Sequence, residues 1–245
     1  MTETVYFISD LHLDSERPAV TGAFFDFLRQ ISSDTNGAPA DALYILGDLF
    51  EFWVGDDDDS PLVGEVADAL REFGDSGRDL YLMHGNRDFL IGADYAARAG
   101  ARLLDDPVVI TPGGEAVLLM HGDSLCTRDE DYQRFRTLAR SPEWQADVLA
   151  RSLDERRQLA AQLRMASRDA GSRKATDIMD VTPSEVARVM RETGVRTLVH
   201  GHTHRPARHD EPNGTRWVLG DWDAQGWFLR HENGDISLNN FDIFQ

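Results

Sequence analysis

Cysteine is almost absent from this 245-residue sequence, which contains only Cys126. A single cysteine can form no disulfide within the chain, and it excludes a metal site built from several thiolates. No apolar stretch approaches the ~20 residues of a membrane-spanning helix, and residues 1–4 lack the basic start of a secretory signal. We therefore expect a cytoplasmic protein.

Basic residues are scarce as well, because 25 Lys and Arg face 43 Asp and Glu and leave a net charge of −18. Nucleic-acid binding needs a basic surface that neutralises phosphates, so we expect no nucleic-acid partner. An anionic small-molecule substrate would meet the same repulsion. Bound divalent cations together with a local basic patch would overcome it.

Short apolar runs, each long enough for one strand buried on both faces, recur along the chain. They lie at residues 5–8, 42–46, 80–83, 115–120 and 197–199. Between the first two we predict a loop over residues 18–23 and a helix from Phe24, while Ser60-Pro61 predicts the start of a second helix. The acidic run 56–59 is predicted to be a solvated loop, and two Asn-Gly turns near the end predict antiparallel strands.

Polar side chains of metal-ligand type follow five of these strands. They are Asp10 and His12, Asp48, Asn86, His121, and His202 with His204. Taken alone, Asp10-x-His12 is explained equally well by a turn with a capping Asp. Clustered His and Asp side chains without partners would be costly to bury, however, so five such strand ends meeting at one sheet edge predict a metal site.

These residues offer a mixture of carboxylate or amide oxygens and imidazole nitrogens, which suits Mn, Fe, Zn or Co better than Ca. The set is too large for one tetrahedral ion and matches two ions that share a bridging carboxylate. Two metals ~3.5–4 Å apart can activate a hydroxide and neutralise phosphate oxygens during in-line displacement.

In this order the motifs resemble those of the calcineurin-like metallophosphoesterase family, which has Asp-x-His, Gly-Asp, Gly-Asn, His and Gly-His-x-His. The resemblance implies an α/β (α+β) four-layer fold, a β-sandwich flanked by helices, as one domain over residues 1–245. The helix-rich residues from 128 to about 175, which Pro142 divides, would form a helical lid inserted into it.

The same resemblance implies that all seven residues are catalytic and hold two divalent ions, with Mn²⁺ favoured. One metal would be held by Asp10, His12, Asp48 and His204, and the other by Asp48, Asn86, His121 and His202. The chain departs from the family at Arg87, where many members have a His that is thought to protonate the leaving group. Arg does not release its proton near neutral pH but grips phosphate, which favours cleavage of a pyrophosphate.

A finer resemblance runs through residues 9–13, 47–53, 83–90, 120–127, 178–181 and 200–206. In these stretches the sequence is similar to the branch of the family that hydrolyses UDP-2,3-diacylglucosamine in lipid A biosynthesis. That implies attack of a dimetal-activated hydroxide on the α-phosphorus, giving UMP and 2,3-diacylglucosamine 1-phosphate (lipid X). It also implies peripheral association with the cytoplasmic face of the inner membrane, without a protein partner. The implied substrate contacts are Asn86, Arg87, Asp129, Ser167, Lys174 and His202.

Residues 151–174 carry an excess of basic side chains in this acidic chain, namely Arg151, Arg156, Arg157, Arg164, Arg168, Arg173 and Lys174. They form either an ordinary solvated helix face or a lid surface that faces the diphosphate and the anionic membrane. Leu153, Leu159, Leu163 and Met165 could line an acyl-chain pocket or simply pack in a core. Two other functions stay open: another nucleotide pyrophosphatase or phosphodiesterase of the superfamily, and a metal-free interaction scaffold.

Overall fold

Two β-sheets pack face to face in the computed structural model, in which the described residues are 3–33, 39–173 and 178–244. The strands, numbered in chain order, are β1 Thr4–Ile8, β2 Ala42–Leu46, β3 Asp79–Met83, β4 Arg102–Leu104, β5 Val108–Ile110, β6 Val117–Leu119, β7 Thr197–His200, β8 Ala207–Glu211, β9 Gly214–Val218, β10 Gln225–Glu232 and β11 Asp235–Asp242. The first sheet has the order β11-β10-β1-β2-β3-β4, and the second has the order β5-β6-β7-β9-β8. The α/β class is therefore confirmed.

The helices of the described residues are α1 Pro18–Ile31, α2 Pro61–Asp75, α3 Ala93–Ala99, α4 Glu130–Ala139, α5 Pro142–Leu149, α6 Leu153–Arg173 and α7 Pro183–Thr193. The predicted loop at residues 18–23 is wrong, because α1 begins at Pro18. Proline is suited to the first helical position, where its missing N–H is not needed and its φ is already helical. Pro142 begins α5 and divides the helical insertion as predicted.

Alternating side chains of the central strands build two of the cores. Val5 and Phe7 of β1 point between the sheets, in a cluster that includes Leu119 and Val199. Their neighbours Tyr6 and Ile8 pack on the other side, against α1, α2 and α3. A third cluster lies between β6, β7 and α7. The order helices, sheet, sheet, helix is the predicted four-layer arrangement.

The five polar strand ends lie on two sheets, which corrects the prediction of one sheet edge. β1, β2 and β3 are parallel neighbours in the first sheet, whereas β6 and β7 are parallel neighbours in the second. Both sets open at the same end of the sandwich, where Gly201 N–H donates to the His121 carbonyl and His202 N–H donates to Oδ2 of Asp10. The site therefore bridges the two sheets.

Helices α4–α6, which we call the lid, are fixed to the sandwich by the acidic segment, residues 56–59. The guanidinium of Arg156 in α6 makes a bidentate pair with the carboxylate of Asp57, in which Nη1 lies 2.6 Å from Oδ1. The same guanidinium donates to the Val54 carbonyl. Arg157 pairs with Asp58 at 2.7 Å and also with Asp59. The predicted loop is confirmed, and Asp57 and Asp59 are largely exposed as expected, but the carboxylates of this loop also bind the lid.

Asp56, the first residue of the acidic segment, has a different role. Its carboxylate accepts hydrogen bonds from Gly92 N–H at 2.8 Å and Tyr95 N–H at 3.0 Å, at the start of α3. These bonds satisfy amide groups that have no partner within the helix.

Among the described residues, no helix combines the length and the apolar character that a bilayer crossing demands.

Candidate metal centre and substrate cavity

The first group of predicted ligands has the geometry of a cation site. Nε2 of His12 lies 3.3 Å from Nε2 of His204, which in turn lies 3.5 Å from Oδ1 of Asp10. Oδ2 of Asp10 accepts bonds from the Ser9 hydroxyl and from His202 N–H. Oδ1 is buried and accepts no hydrogen bond from the described residues. A cation would satisfy it.

Asp48 lies between the two predicted metal positions. Its Oδ2 is 3.8 Å from Nε2 of His12, and its Oδ1 is 3.8 Å from Nε2 of His121. Oδ1 also accepts a hydrogen bond from Arg87 N–H at 2.8 Å, which fixes the orientation of the carboxylate. One carboxylate that faces imidazoles on both sides has the position required of a bridging ligand.

The second group converges on the amide oxygen of Asn86. This Oδ1 lies 3.0 Å from Nε2 of His121 and 2.8 Å from Nδ1 of His202. Asp10, Asp48 and His121 also have ligand atoms within 4.8 Å of one another. Asp10 therefore lies near both positions, although the family resemblance assigns it to the first metal only. All seven predicted ligands meet in one place.

The backbone at the ligands adopts conformations that are unfavourable for most residues. Five of the ligands have positive φ angles between 48° and 66°, and the one other such non-glycine residue of the described chain is Asn233 in a hairpin turn. They are Asp10, His12, Asp48, His202 and His204. Positive φ in a non-glycine residue is uncommon and persists where the surrounding structure enforces it, typically at functional sites.

Two glycines make room for the ligand carboxylates. A Cβ atom on Gly85 would lie 2.1 Å from Oδ1 of Asp48, and one on Gly201 would lie 2.2 Å from Oδ2 of Asp10. Neither glycine has positive φ. The Gly-Asn and Gly-His motifs thus reflect close approach of a neighbouring ligand at these positions.

Three groups that the sequence analysis missed orient the imidazoles through the ring nitrogen that faces away from the centre. Oε2 of Glu51 lies 3.0 Å from Nδ1 of His12, and Oδ2 of Asp221 lies 3.5 Å from Nδ1 of His204. The Leu46 carbonyl lies 2.8 Å from Nδ1 of His121. Such partners fix the tautomer and raise the basicity of a metal-binding imidazole. In the sequence, the available signal for Glu51 was its position, three residues after the predicted ligand Asp48.

The electrostatics of the centre favour positive charge. Burial lowers the pKa of His121, but Asp48 and Asp10 outweigh it and raise this pKa to about 9. Burial is likewise outweighed at His204, where the carboxylates of Asp10 and Asp221, each 3.5 Å from a ring nitrogen, raise the pKa to about 10. Burial prevails at His202, whose pKa falls to about 4. Divalent cations would replace the protons that the carboxylates attract.

A cavity of about 520 Å³ extends from this centre to the underside of the lid. Five of the six predicted substrate contacts line it, namely Asn86, Arg87, Asp129, Ser167 and His202. The sixth, Lys174, lies outside the described residues. Nε of Arg87 is buried and has no hydrogen-bond partner in the described part of the chain. Asp129 also caps α4 by accepting a bond from Tyr132 N–H.

The far part of the cavity is apolar and is formed by all three lid helices. Leu159 and Leu163 of α6 line it, as the pocket hypothesis predicted, together with Phe135, Trp144 and Val148 of α4 and α5. Leu153 and Met165 do not line it, and Met165 is 68% exposed. The cavity therefore offers a polar end at the metal centre and an apolar end under the lid.

The basic residues of α6 make fewer contacts with the cavity than the sequence suggests. Arg156 and Arg157 are held by the acidic segment, although Arg156 also lines the cavity, and Arg151, which precedes α6, pairs with Asp147 at 2.6 Å. Arg164 lines the cavity and pairs with Glu51. The side chains of Arg168 and Arg173 are not among the described parts. Much of the predicted basic surface is thus neutralised within the protein.

A second buried network, also missed from the sequence, supports His202. The fully buried Asp123 accepts hydrogen bonds from the Tyr132 hydroxyl at 2.6 Å and from Nε of Arg136 at 2.8 Å. The Tyr132 ring stacks on His202, with centroids 5.9 Å apart. This network packs α4 of the lid against the metal centre.

Comparisons with known proteins agree with this geometry. The profile of the calcineurin-like phosphoesterase family matches residues 3–206. A UDP-2,3-diacylglucosamine hydrolase of Cellvibrio japonicus is 54% identical over 241 residues, which cover 97% of this chain and 98% of that protein. The protein of the same name in Chromohalobacter salexigens is 54% identical over 235 residues, 94% of each chain. The solved structure of an archaeal phosphodiesterase has a TM-score of 0.50 at 11% identity over 97% of this chain and 99% of its own, a likeness in fold alone.

Proposed function

Because the chain belongs to the calcineurin-like phosphoesterase family, we propose that it hydrolyses the pyrophosphate bond of UDP-2,3-diacylglucosamine, giving UMP and 2,3-diacylglucosamine 1-phosphate. The observation that carries this proposal is the single cavity that joins a cluster of metal ligands to an apolar chamber. This substrate has the same two parts, a diphosphate and a pair of acyl chains. The near full-length identity to hydrolases of that name supports the same substrate.

We propose that two divalent ions, with Mn²⁺ favoured, are held by the two ligand groups described above, with Asp48 between them. When bound, such ions supply an activated water and neutralise phosphate oxygens. The carboxylate, amide and imidazole donors of the site suit Mn²⁺, and the unsatisfied Oδ1 of Asp10 would accommodate a cation. Water then adds to the α-phosphorus while the bond to the bridging oxygen breaks, and the sugar 1-phosphate leaves.

Arg87 binds the phosphate oxygens in this proposal. Its backbone is fixed through its N–H to Asp48 and through its carbonyl, which accepts a bond from Trp53 N–H. Arg87 lines the cavity, and its Nε has no hydrogen-bond partner among the described residues. Because a guanidinium keeps its proton, it stabilises a leaving group that departs as a phosphate monoester. Asn86, Asp129, Ser167, Lys174 and His202 complete the proposed substrate contacts.

We also propose that the protein works at the cytoplasmic face of the inner membrane, as a peripheral protein without a protein partner. The acyl chains of the substrate belong in a bilayer, from which the lid would receive them. Leu138, Leu149 and Met165, three of the exposed large apolar side chains, belong to the lid. Exposed apolar side chains on the lid favour contact with a lipid surface.

The decisive experiment is turnover of UDP-2,3-diacylglucosamine by the purified protein with Mn²⁺. We expect UMP and lipid X as products, and a loss of more than ~100-fold in His121→Ala, because removing even an outer partner of a metal ligand costs ~10–100-fold. His209→Ala on β8, outside the ligand cluster, is the matched control and should keep its activity. Hydrolysis of ordinary nucleoside diphosphate sugars, with none of the lipid substrate, would contradict the proposal.

A further inference from the structure

One buried carboxylate, Glu51, contacts both a predicted metal ligand and the lid. Its Oε2 lies 3.0 Å from Nδ1 of His12, and its Oε1 pairs with the guanidinium of Arg164 on α6. The side chain of Glu51 is 10% exposed, and that of Arg164 is 22% exposed. Water therefore competes weakly for either contact, and the two contacts share one carboxylate.

The other groups that orient imidazoles have no comparable link to the lid. Nδ1 of His204 faces Asp221, which lies in the segment between β9 and β10. Nδ1 of His121 faces the Leu46 carbonyl at the end of β2. Of these three orienting groups, Glu51 is the one that is paired with a residue of α6. The first metal position is thus the one at which the carboxylate that faces a ligand imidazole is also paired with α6.

The backbone of Glu51 is fixed independently of the lid. Its N–H donates to the Leu13 carbonyl at 3.1 Å, and Leu13 forms a parallel bridge with Phe50. The segment that holds Glu51 is therefore tied directly to the segment that holds His12. With the backbone fixed, the orientation of the carboxylate depends on its side-chain torsions, which the pair with Arg164 restricts.

We infer that Glu51 is a positioning residue that couples docking of the lid to metal binding at His12, with Arg164 as its contact on the lid. This inference rests on the proposed dimetal centre. A carboxylate on the far nitrogen of a metal-binding imidazole fixes the ring and increases its basicity. Because coupling between two sites is reciprocal, an ion at His12 should also stabilise the docked lid.

The first test is Mn²⁺ titration of the metal-free full-length protein, followed by electron paramagnetic resonance of free Mn²⁺. We expect two bound ions, and a loss of ~10–100-fold in affinity for one of them in Glu51→Gln. Arg164→Gln should weaken the same ion by roughly fivefold or more, and it should have no further effect in the Glu51→Gln background. Arg151→Gln removes the same charge from the same basic run without touching Glu51 or the acidic segment, and is the matched control.

The second test measures the reciprocal effect by hydrogen exchange. Mn²⁺ should slow exchange of the α6 amides in the wild type and should not do so in Glu51→Gln. Additive effects of the two substitutions, or wild-type binding of both ions by Glu51→Gln, would overturn the inference. Failure of the wild type to bind Mn²⁺ would instead contradict the proposed metal centre. If circular dichroism shows that Glu51→Gln unfolds, Glu51→Asp, which keeps the charge but shortens the reach, should give the same selective loss.

Discussion

The ligands at the edge of the sandwich and the lid above them are held by different forces. The ligand loops are fixed by backbone hydrogen bonds between strand ends, such as Asp10 N–H to the Gly47 carbonyl and His12 N–H to the Asp48 carbonyl. The lid is attached largely by ion pairs, those of α6 with the acidic segment and Glu51 and that of α4 with Asp123. The first region is therefore rigid, and the second is able to respond to charge, salt and ligand.

This difference assigns different tasks to the two regions. Positive φ angles at the ligands, and the absence of a Cβ atom at Gly85 and Gly201, let several carboxylates and imidazoles lie close together. Such a cluster suits a reaction that is the same for many substrates. The lid adds the apolar end of the cavity, which receives the acyl chains in the proposed function. Substitutions in the first region should abolish all activity, whereas substitutions in the second should reduce activity toward the lipid substrate.

The largest effect is expected from Gly85→Ala. The added methyl group would lie 2.1 Å from Oδ1 of Asp48 and 2.3 Å from its backbone nitrogen, so the bridging carboxylate must move. A displacement of this kind costs ~100-fold or more in rate. Mn²⁺ titration and turnover measurements should both show the loss. Gly22→Ala in α1 meets open space and is the matched control, with full activity and a free energy of unfolding raised by up to ~1 kcal/mol.

Most of the first region could be predicted from the sequence because its determinants are local. Each ligand directly follows an apolar strand, and burial on both faces is visible as a short apolar run. The division of these strands between two sheets could not be read, because a run such as residues 197–199 does not specify its neighbour. The orienting carboxylates Glu51 and Asp221 were missed for the same reason, since their role depends on contacts across the fold.

A smaller effect is expected from Arg156→Met, which keeps the bulk of the side chain and removes the main attachment of the lid. Charge-assisted hydrogen bonds contribute about 1.5–3 kcal/mol each, and the lost bonds involve both Asp57 and the Val54 carbonyl. The lid should open more often, so that limited proteolysis within α6 is faster and turnover of dilute lipid substrate falls ~10-fold. The melting temperature of the sandwich should change little.

Arg151→Met is the matched control for this prediction. Arg151 belongs to the same basic run, but it pairs with Asp147 four residues earlier, at an exposed position. Such pairs contribute ~0.3–0.5 kcal/mol to a helix, so proteolysis and turnover should match the wild type. Equal effects of the two substitutions would show that total charge, and not the attachment at Asp57, holds the lid.

The attachment of the lid was not predicted because it joins residues about a hundred positions apart. Asp57 and Arg156 are separated by 99 residues, and composition alone shows only that one run is acidic and the other basic. A solvated loop and a solvated helix face were reasonable predictions for each run considered separately. The opposite charges of the two runs were the available signal.

The smallest effect is expected from acid, at the same attachment. The hydrogen bond from Arg156 outweighs the small effect of burial and lowers the pKa of Asp57. A lowered pKa in the folded state gives a stabilisation that is complete above the unfolded value of about 3.9 and is lost as the pH falls through the folded value. Between pH 5 and pH 3, hydrogen exchange of the α6 amides in metal-free protein, corrected for intrinsic rates, should therefore accelerate several-fold.

Asp57→Asn lacks this carboxylate and should show a flatter profile, while the β1 amides should stay protected in both. An equal acceleration in the variant would show that the acid-sensitive group is not Asp57. The ion pair between Arg156 and Asp57 would then not explain why the lid responds to pH more than the sandwich does.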